Sequence, residues 1–563
     1  MTRQIPTLVA LAILSLSSVP ANAGGLLIAD NGFGGVLKIQ KQHVAVTINN
    51  GVAVTTIDQT FLNTENRIVE ALYTFPVPKG ASVSNFSMWI GGKEMIGEVV
   101  EKQRAREIYE SYKRTKRDPG LLEQVDFKRF EMRIFPIPAK VEQRVRITYY
   151  QELDFDHDWA TYVYPLSTTT QEAVAADSSV GDFSFSLDVR SEVPIVEMKS
   201  PSHGDTVAVS EFDSQLLRAS LETSDTDLNK DIVIAYQVKR PFTGVNVIGN
   251  RTQGNDGFLQ LTLTVGEELE QKESGMDYVF VLDVSGSMRN DRKLAVSGSS
   301  VIAFIENLSD ADQFELITFN DMPSARFGKL VTAERSAFDQ LSDELRSLRA
   351  RGGTSLRPAI EMAYRYQDPD RPLNVVVLSD GMTEEQEGQQ LMQLIQSRPA
   401  GARVFAVGVG NDVNRPLLKD VAQRSGGLAA FLSGSDNFDR QAAAFRRKLL
   451  RPAIEDVAIT FGGKVHDVVP NELGSLYHGA PQRLYARYAN GGPTDVTIKG
   501  TIMGSPFTKT ATVDLPTLSD TNPEIERMWA SHRVEELMSH VRKEGNDPAA
   551  EREIVALCEE FQS

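Results

Sequence analysis

The pentapeptide Asp283-Val284-Ser285-Gly286-Ser287 follows without a break on the apolar run Tyr278 to Leu282, and this junction constrains the fold more than any other feature. An apolar run with no polar alternation suits a strand buried on both faces, and such strands occur almost only in parallel sheets covered by helices. Strand and helix signals alternate onward to about Pro452. Strands are expected at Tyr278 to Leu282, Phe314 to Phe319, Val375 to Leu378 and Val404 to Val409. Helices are expected at Lys293 to Asn307, Ala333 to Arg349, Leu356 to Tyr366, Glu384 to Ser397 and Arg415 to Ser425. Residues 274–452 thus read as a doubly wound α/β domain, whose ligand site belongs at the carboxyl ends of its strands.

Asp283, Ser285 and Ser287 leave the first strand at such an end, each two residues from the next. A second strand delivers Asp380 within Ser379-Asp380-Gly381, and Gly352-Gly353-Thr354 offers another hydroxyl before a helix. Two carboxylates and three hydroxyls form an all-oxygen set. That set suits Mg2+, which wants near-octahedral oxygen ligands and keeps some water, with Mn2+ and Ca2+ as the other oxygen-seeking candidates. His and Cys are absent from it, which disfavours zinc.

This constellation resembles the metal-ion-dependent adhesion site (MIDAS) of von Willebrand factor type A (VWA) and integrin inserted domains. Asp283, Ser285 and Ser287 match its first motif, Thr354 its second and Asp380 its third. The resemblance implies an ion with one replaceable position, which coordinates an acidic group of a partner protein or other ligand. Asp-x-Ser-x-Ser alone could be an ordinary turn without an ion, because Asp and Ser are common turn residues. The strand context and the matching second and third elements favour the metal.

Upstream, Val44, Val46 and Ile48 alternate with polar residues before Asn50-Gly51, and alternation resumes at Val52 and Val54, a hairpin signal. More strands are expected at Ala71 to Phe75, Met88 to Ile90 and Val145 to Tyr149, giving a sandwich, with one helix from about Gly97 to Lys116. The basic side of that helix reads as a solvated face rather than a polymer-binding surface. Tyr73-Thr74-Phe75-Pro76-Val77-Pro78, Val99-Val100-Glu101-Lys102 and Ala105-Arg106-Glu107-Ile108-Tyr109 resemble the vault protein inter-alpha-trypsin (VIT) domain over residues 27–155. That module precedes a VWA domain in inter-alpha-trypsin inhibitor heavy chains and in many bacterial exported proteins, and it implies a β-sandwich with no catalytic role.

Strand patterns return at Phe183 to Val189, Ile232 to Val238 and Phe258 to Val265, and again at Ile459 to Phe461, Leu484 to Arg487, Val496 to Ile502 and Thr510 to Val513. Residues 165–272 and 453–516 are therefore expected to build one hybrid β domain in two parts around the VWA-like domain, an arrangement that the heavy-chain resemblance also implies. An independent C-terminal β domain is the alternative. Packing helices are expected over 523–563, the second opening at Asp547-Pro548. The whole is a multidomain α/β plus all-β chain.

At 563 residues the chain exceeds what a single core usually supports. A net charge of −17 opposes a nucleic-acid partner, since backbone binding needs a basic footprint. Arg3, the apolar stretch Leu8 to Leu16 and Ala21-Asn22-Ala23 read as a signal peptide over 1–23, so a periplasmic or extracellular protein is expected. The stretch falls short of the roughly 20 residues a transmembrane helix needs, and no later one supplies a span. The single Cys558 cannot form an internal disulfide and reads as a helix-face packing residue. His-Glu-x-x-His, Gly-x-Ser-x-Gly and a Walker-type loop are missing, so a binding protein is expected before a metal-dependent hydrolase. An envelope scaffold with a structural metal is the other reading.

Overall fold

The computed structural model describes residues 26–29, 38–78, 81–90, 92–97, 120–126, 129–156, 159–165, 181–224, 231–239, 243–265, 275–306, 308–332, 334–381, 385–409, 413–432, 454–477, 481–502, 505–544 and 547–561. The expected signal peptide and nearly all of the helix expected from Gly97 to Lys116 lie outside these residues.

The strands Lys38–Asn49 and Val52–Leu62 pair antiparallel, with Asn49 opposite Val52. Between them Asn50 and Gly51 take φ of 47° and 84°. Two consecutive positive values make the tight turn whose twist matches a hairpin, and Asn-Gly is the dipeptide that tolerates it best. These strands lie inside an eight-stranded sheet that also holds Glu142–Glu152, Ser82–Ile90 and Lys93–Ile96 on one side.

On the other side the sheet continues through Asp182–Arg190, Leu216–Ser224 and Ala208–Phe212. This differs from the expectation that all of 165–272 belongs to the hybrid domain. Asp182–Arg190 runs parallel to Lys38–Asn49, with Phe185 opposite Val44, Leu187 opposite Val46 and Val189 opposite Ile48. Both strands bury alternate residues, so this register puts their apolar sets into one core. Residues from Ile39 to Val238 share that core, which two smaller sheets help to close.

Of the expected first part, Gly244–Asn250 and Gly257–Thr264 form a hairpin that pairs beyond the α/β unit, with Gly257–Thr264 beside Gln482–Tyr488. The sheet they form with Val465–Val469 packs on the three-stranded sheet Glu455–Phe461, Gly492–Ile502 and Ser505–Leu515. Leu259, Leu261 and Leu263 from one chain segment meet Leu484, Val496 and Leu515 from the other.

Between these segments lies a mostly parallel sheet in the order Pro323–Ala325, Gln313–Phe319, Asp277–Asp283, Leu373–Ser379, Ala402–Val409 and Ala429–Leu432. All seven residues of Asp277–Asp283 are buried, as are all seven of Leu373–Ser379. Tyr278, Phe280 and Leu282 face the core under helices Lys293–Ile305 and Arg335–Ser347. Val279 and Val281 face the opposite core, under Leu356–Tyr364 and Glu385–Gln396. Two covered faces explain the unbroken apolar run.

The C-terminal helices Glu524–Glu544 and Pro548–Phe561 dock on the β bodies. Trp529 sits 5.4 Å from Phe258 and 5.7 Å from Phe561, measured between ring centroids.

Candidate metal centre

Asp283 ends the central strand, flanked by the parallel strands Gln313–Phe319 and Leu373–Ser379. The helices that follow Asp277–Asp283 and Leu373–Ser379 cover opposite faces, so a crevice opens where these strands end.

The Asp283 carboxylate is fully buried and held at both oxygens. The Ser285 backbone N–H donates to Oδ1 at 2.8 Å, and the Ser379 hydroxyl donates to Oδ2 at 2.6 Å. A carboxylate has about four lone-pair sites, so acceptor capacity is left. Burial pushes its pKa above the usual carboxylate range; the bonds from Ser285 and Ser379 oppose this, while the charge of Asp380 adds to it.

The Ser285 and Ser287 hydroxyls lie 3.1 Å apart. Adjacent ligands of an octahedral ion with bonds of about 2.1 Å are separated by about 3.0 Å, so this pair fits one edge of a Mg2+ shell. Ser285 is buried and Ser287 half-buried, which places the pair at the mouth of the crevice.

The loop bearing Thr354 is fastened beside this turn. Gly286 N–H donates to the Gly352 carbonyl at 2.9 Å, Arg351 N–H to the Val284 carbonyl at 2.7 Å and Ser355 N–H to the Asn320 carbonyl at 2.8 Å. Thr354, between those anchors, is half-buried. Gly352 has φ of 81°, and a Cβ there would lie 2.6 Å from Asp321 Oδ2, so only glycine suits this approach.

Asp380 follows the neighbouring strand and is fully buried. Its Oδ2 accepts a hydrogen bond from the Lys293 ammonium at 2.9 Å, and Lys293 is itself only 4% exposed. Its carbonyl accepts from Asn414 N–H at 2.8 Å, which ties the loop to helix Arg415–Arg424.

The fold thus gathers Asp283, Ser285 and Ser287 on one turn, with the Thr354 loop bonded to that turn and Asp380 beside Ser379, which grips Asp283. The donors are all oxygen, as a small hard cation requires. Two participants escaped sequence reasoning. Ser379 adjoins a chosen residue, but its bond to Asp283 needs the sheet register. Lys293 opens a helix, where a lysine reads as a solvated charge.

Residues 39–149 match the family model of the vault protein inter-alpha-trypsin domain, and residues 276–431 that of the von Willebrand factor type A domain. The chain is 22% identical over 545 residues to von Willebrand factor A domain-containing protein 5A of Rattus norvegicus, covering 88% of this chain and 66% of that protein. It is 24% identical over 530 residues to inter-alpha-trypsin inhibitor heavy chain H4 of Homo sapiens, covering 87% of this chain and 55% of that one. It therefore spans somewhat more than half to about two thirds of the length of these relatives. Among solved structures, the von Willebrand factor type A protein from Catenulispora acidiphila aligns with a TM-score of 0.38 at 15% identity, over 58% of this chain and 88% of that chain. VWA domains commonly bind a divalent metal at the motif described above and mediate protein interactions. Among the described residues no helix is long and apolar enough to cross a membrane. The chain is a VIT- and VWA-domain protein, similar over most of its length to von Willebrand factor A domain-containing protein 5A and inter-alpha-trypsin inhibitor heavy chain H4.

Proposed function

We propose that this chain is an exported, non-enzymatic binding protein whose VWA domain engages an acidic group of a partner through one divalent ion, Mg2+ before Mn2+ or Ca2+. The observation that carries this reading is the Ser285–Ser287 hydroxyl pair, 3.1 Å apart at the end of the strand that delivers the buried Asp283. A bound ion would supply a Lewis-acidic position that a partner carboxylate can complete. The chain's own residues hold that position. Ser379 and the Ser285 N–H fix the Asp283 carboxylate, Lys293 fixes Asp380, and the half-buried Ser287 and Thr354 leave the mouth accessible.

Both carboxylates are oriented by hydrogen bonds from the chain, as ordered metal ligands are. Export is supported by Arg3, the apolar Leu8 to Leu16 and the small residues Ala21 and Ala23.

Thermal melting of the purified chain in Mg2+ and in EDTA, beside Asp283→Ala and with a hydrolase panel, tests the proposal. Mg2+ should raise the melting temperature of the wild type and leave Asp283→Ala unmoved. An identical response in both proteins would remove the site. Robust metal-dependent turnover would overturn the binding reading, and unfolding in EDTA would favour a scaffold with a structural ion.

A further inference from the structure

Lys293 is in an unusual place. It begins helix Lys293–Ile305, directly after the 3-10 helix Gly286–Arg292. It is also 4% exposed, whereas lysine is almost never buried unless paired. Solvation argues against a lysine here, and its ammonium donates to Asp380 Oδ2 at 2.9 Å. A local rule broken beside a functional site marks a residue kept for that site.

Two fully buried carboxylates, Asp283 and Asp380, stand at neighbouring strand ends, and the Lys293 ammonium lies against Asp380. The formal charge of the trio is −1, which becomes +1 with a divalent ion. Without the lysine the corresponding values would be −2 and 0. The ammonium therefore stabilises the ion-free centre, opposes entry of the ion and leaves the loaded centre positive toward an anionic visitor.

We propose that Lys293 is a tethered counter-cation of the metal centre, which keeps the ion-free VWA domain folded, weakens its hold on the divalent ion and positions Asp380. This rests on the metal-site reading above. It predicts that the ion serves binding rather than folding, because part of the charge compensation is built into the chain.

The test uses the full chain, with Mg2+ alone and Mn2+ alone as probes. In Lys293→Met the melting temperature in EDTA should fall, and calorimetry should give a Kd for each ion about tenfold tighter or more, since one repulsive charge has gone from a buried site. The double variant Lys293→Met/Asp380→Asn removes both partners and should recover melting temperature in EDTA. If Lys293→Met folds only with Mg2+, the same conclusion holds more strongly. An unchanged melting temperature in EDTA with an ion affinity equal to or weaker than wild type would overturn the proposal. If the wild type binds neither ion, the metal-site reading fails instead, and the EDTA melts of the single and double variants still decide whether Lys293 compensates Asp380.

Discussion

Tyr485 donates its phenolic hydrogen to Glu152 Oε1 at 2.6 Å, joining strands that lie 333 residues apart in the chain. His532, from helix Glu524–Glu544, stacks on the Tyr485 ring with centroids 5.0 Å apart and brings Nε2 within 3.1 Å of the same oxygen. Arg483 Nη1 lies 3.6 Å from Oε2. The first β body, the split β body and the C-terminal helices meet at this carboxylate. Lys419 of the VWA domain pairs with Glu535 on the same helix.

Replacing Tyr485 by Phe keeps the packing but removes one of the donors to the half-buried Glu152 carboxylate. We expect a loss of about 1 to 3 kcal/mol of stability in denaturant unfolding. An unchanged midpoint would mean that water takes over the bond at no cost.

The junction should also respond to pH. Burial alone would raise the Glu152 pKa, but the charge and hydrogen bond of His532, with Arg483 and Tyr485, outweigh it and hold the carboxyl at about 2. Burial likewise opposes protonation of His532, and Glu152 overcomes that, so its pKa is raised above 6.5. The Glu152 contribution is present above its ordinary 4.5 and lost as pH falls toward about 2. The His532 contribution is present below 6.5 and lost as pH rises through the raised value. The melting-temperature gap between wild type and His532→Gln should therefore be widest between these ordinary values and narrow on the alkaline side. A gap that does not narrow as the pH is raised into the alkaline range would count against the ion pair.

Gly352→Ala places a side chain at φ of 81° and against Asp321. We expect a stability loss of about 1 to 3 kcal/mol together with weaker Mg2+ binding, because the same loop carries Thr354. Loss of stability with ion affinity intact would separate that loop from the metal centre.

Trp529 is buried between Phe258 and Phe561, and its indole N–H donates to the Asp467 carbonyl at 2.7 Å. Truncation to Ala should cost about 3 to 5 kcal/mol and expose the C-terminal helices to limited proteolysis. Proteolysis at the wild-type rate would show that other contacts keep them docked.

The VWA core was legible because its strands are buried on both faces and need no knowledge of their partners: Tyr278 to Leu282 already reads as a central parallel strand. The Asn50-Gly51 hairpin was legible because one dipeptide fixes its turn. The partner of Asp182–Arg190 was not, since an alternating strand shows which side is apolar but not which strand lies beside it. Hence the first part of the expected hybrid domain began too early. At the site, Asp283, Ser285 and Ser287 stand out because their spacing is local. The Lys293–Asp380 pair spans 87 residues and carries no local mark in the sequence.

The most direct test of the central claim is Mn2+ retention read by electron paramagnetic resonance, on wild type and on Ser285→Ala/Ser287→Ala with matched melting curves in EDTA. Wild type should hold one Mn2+ per chain with the signal of an all-oxygen octahedral site, and the double variant should hold none while melting as wild type does in EDTA. Equal Mn2+ retention in both proteins would contradict a metal centre built on these two hydroxyls.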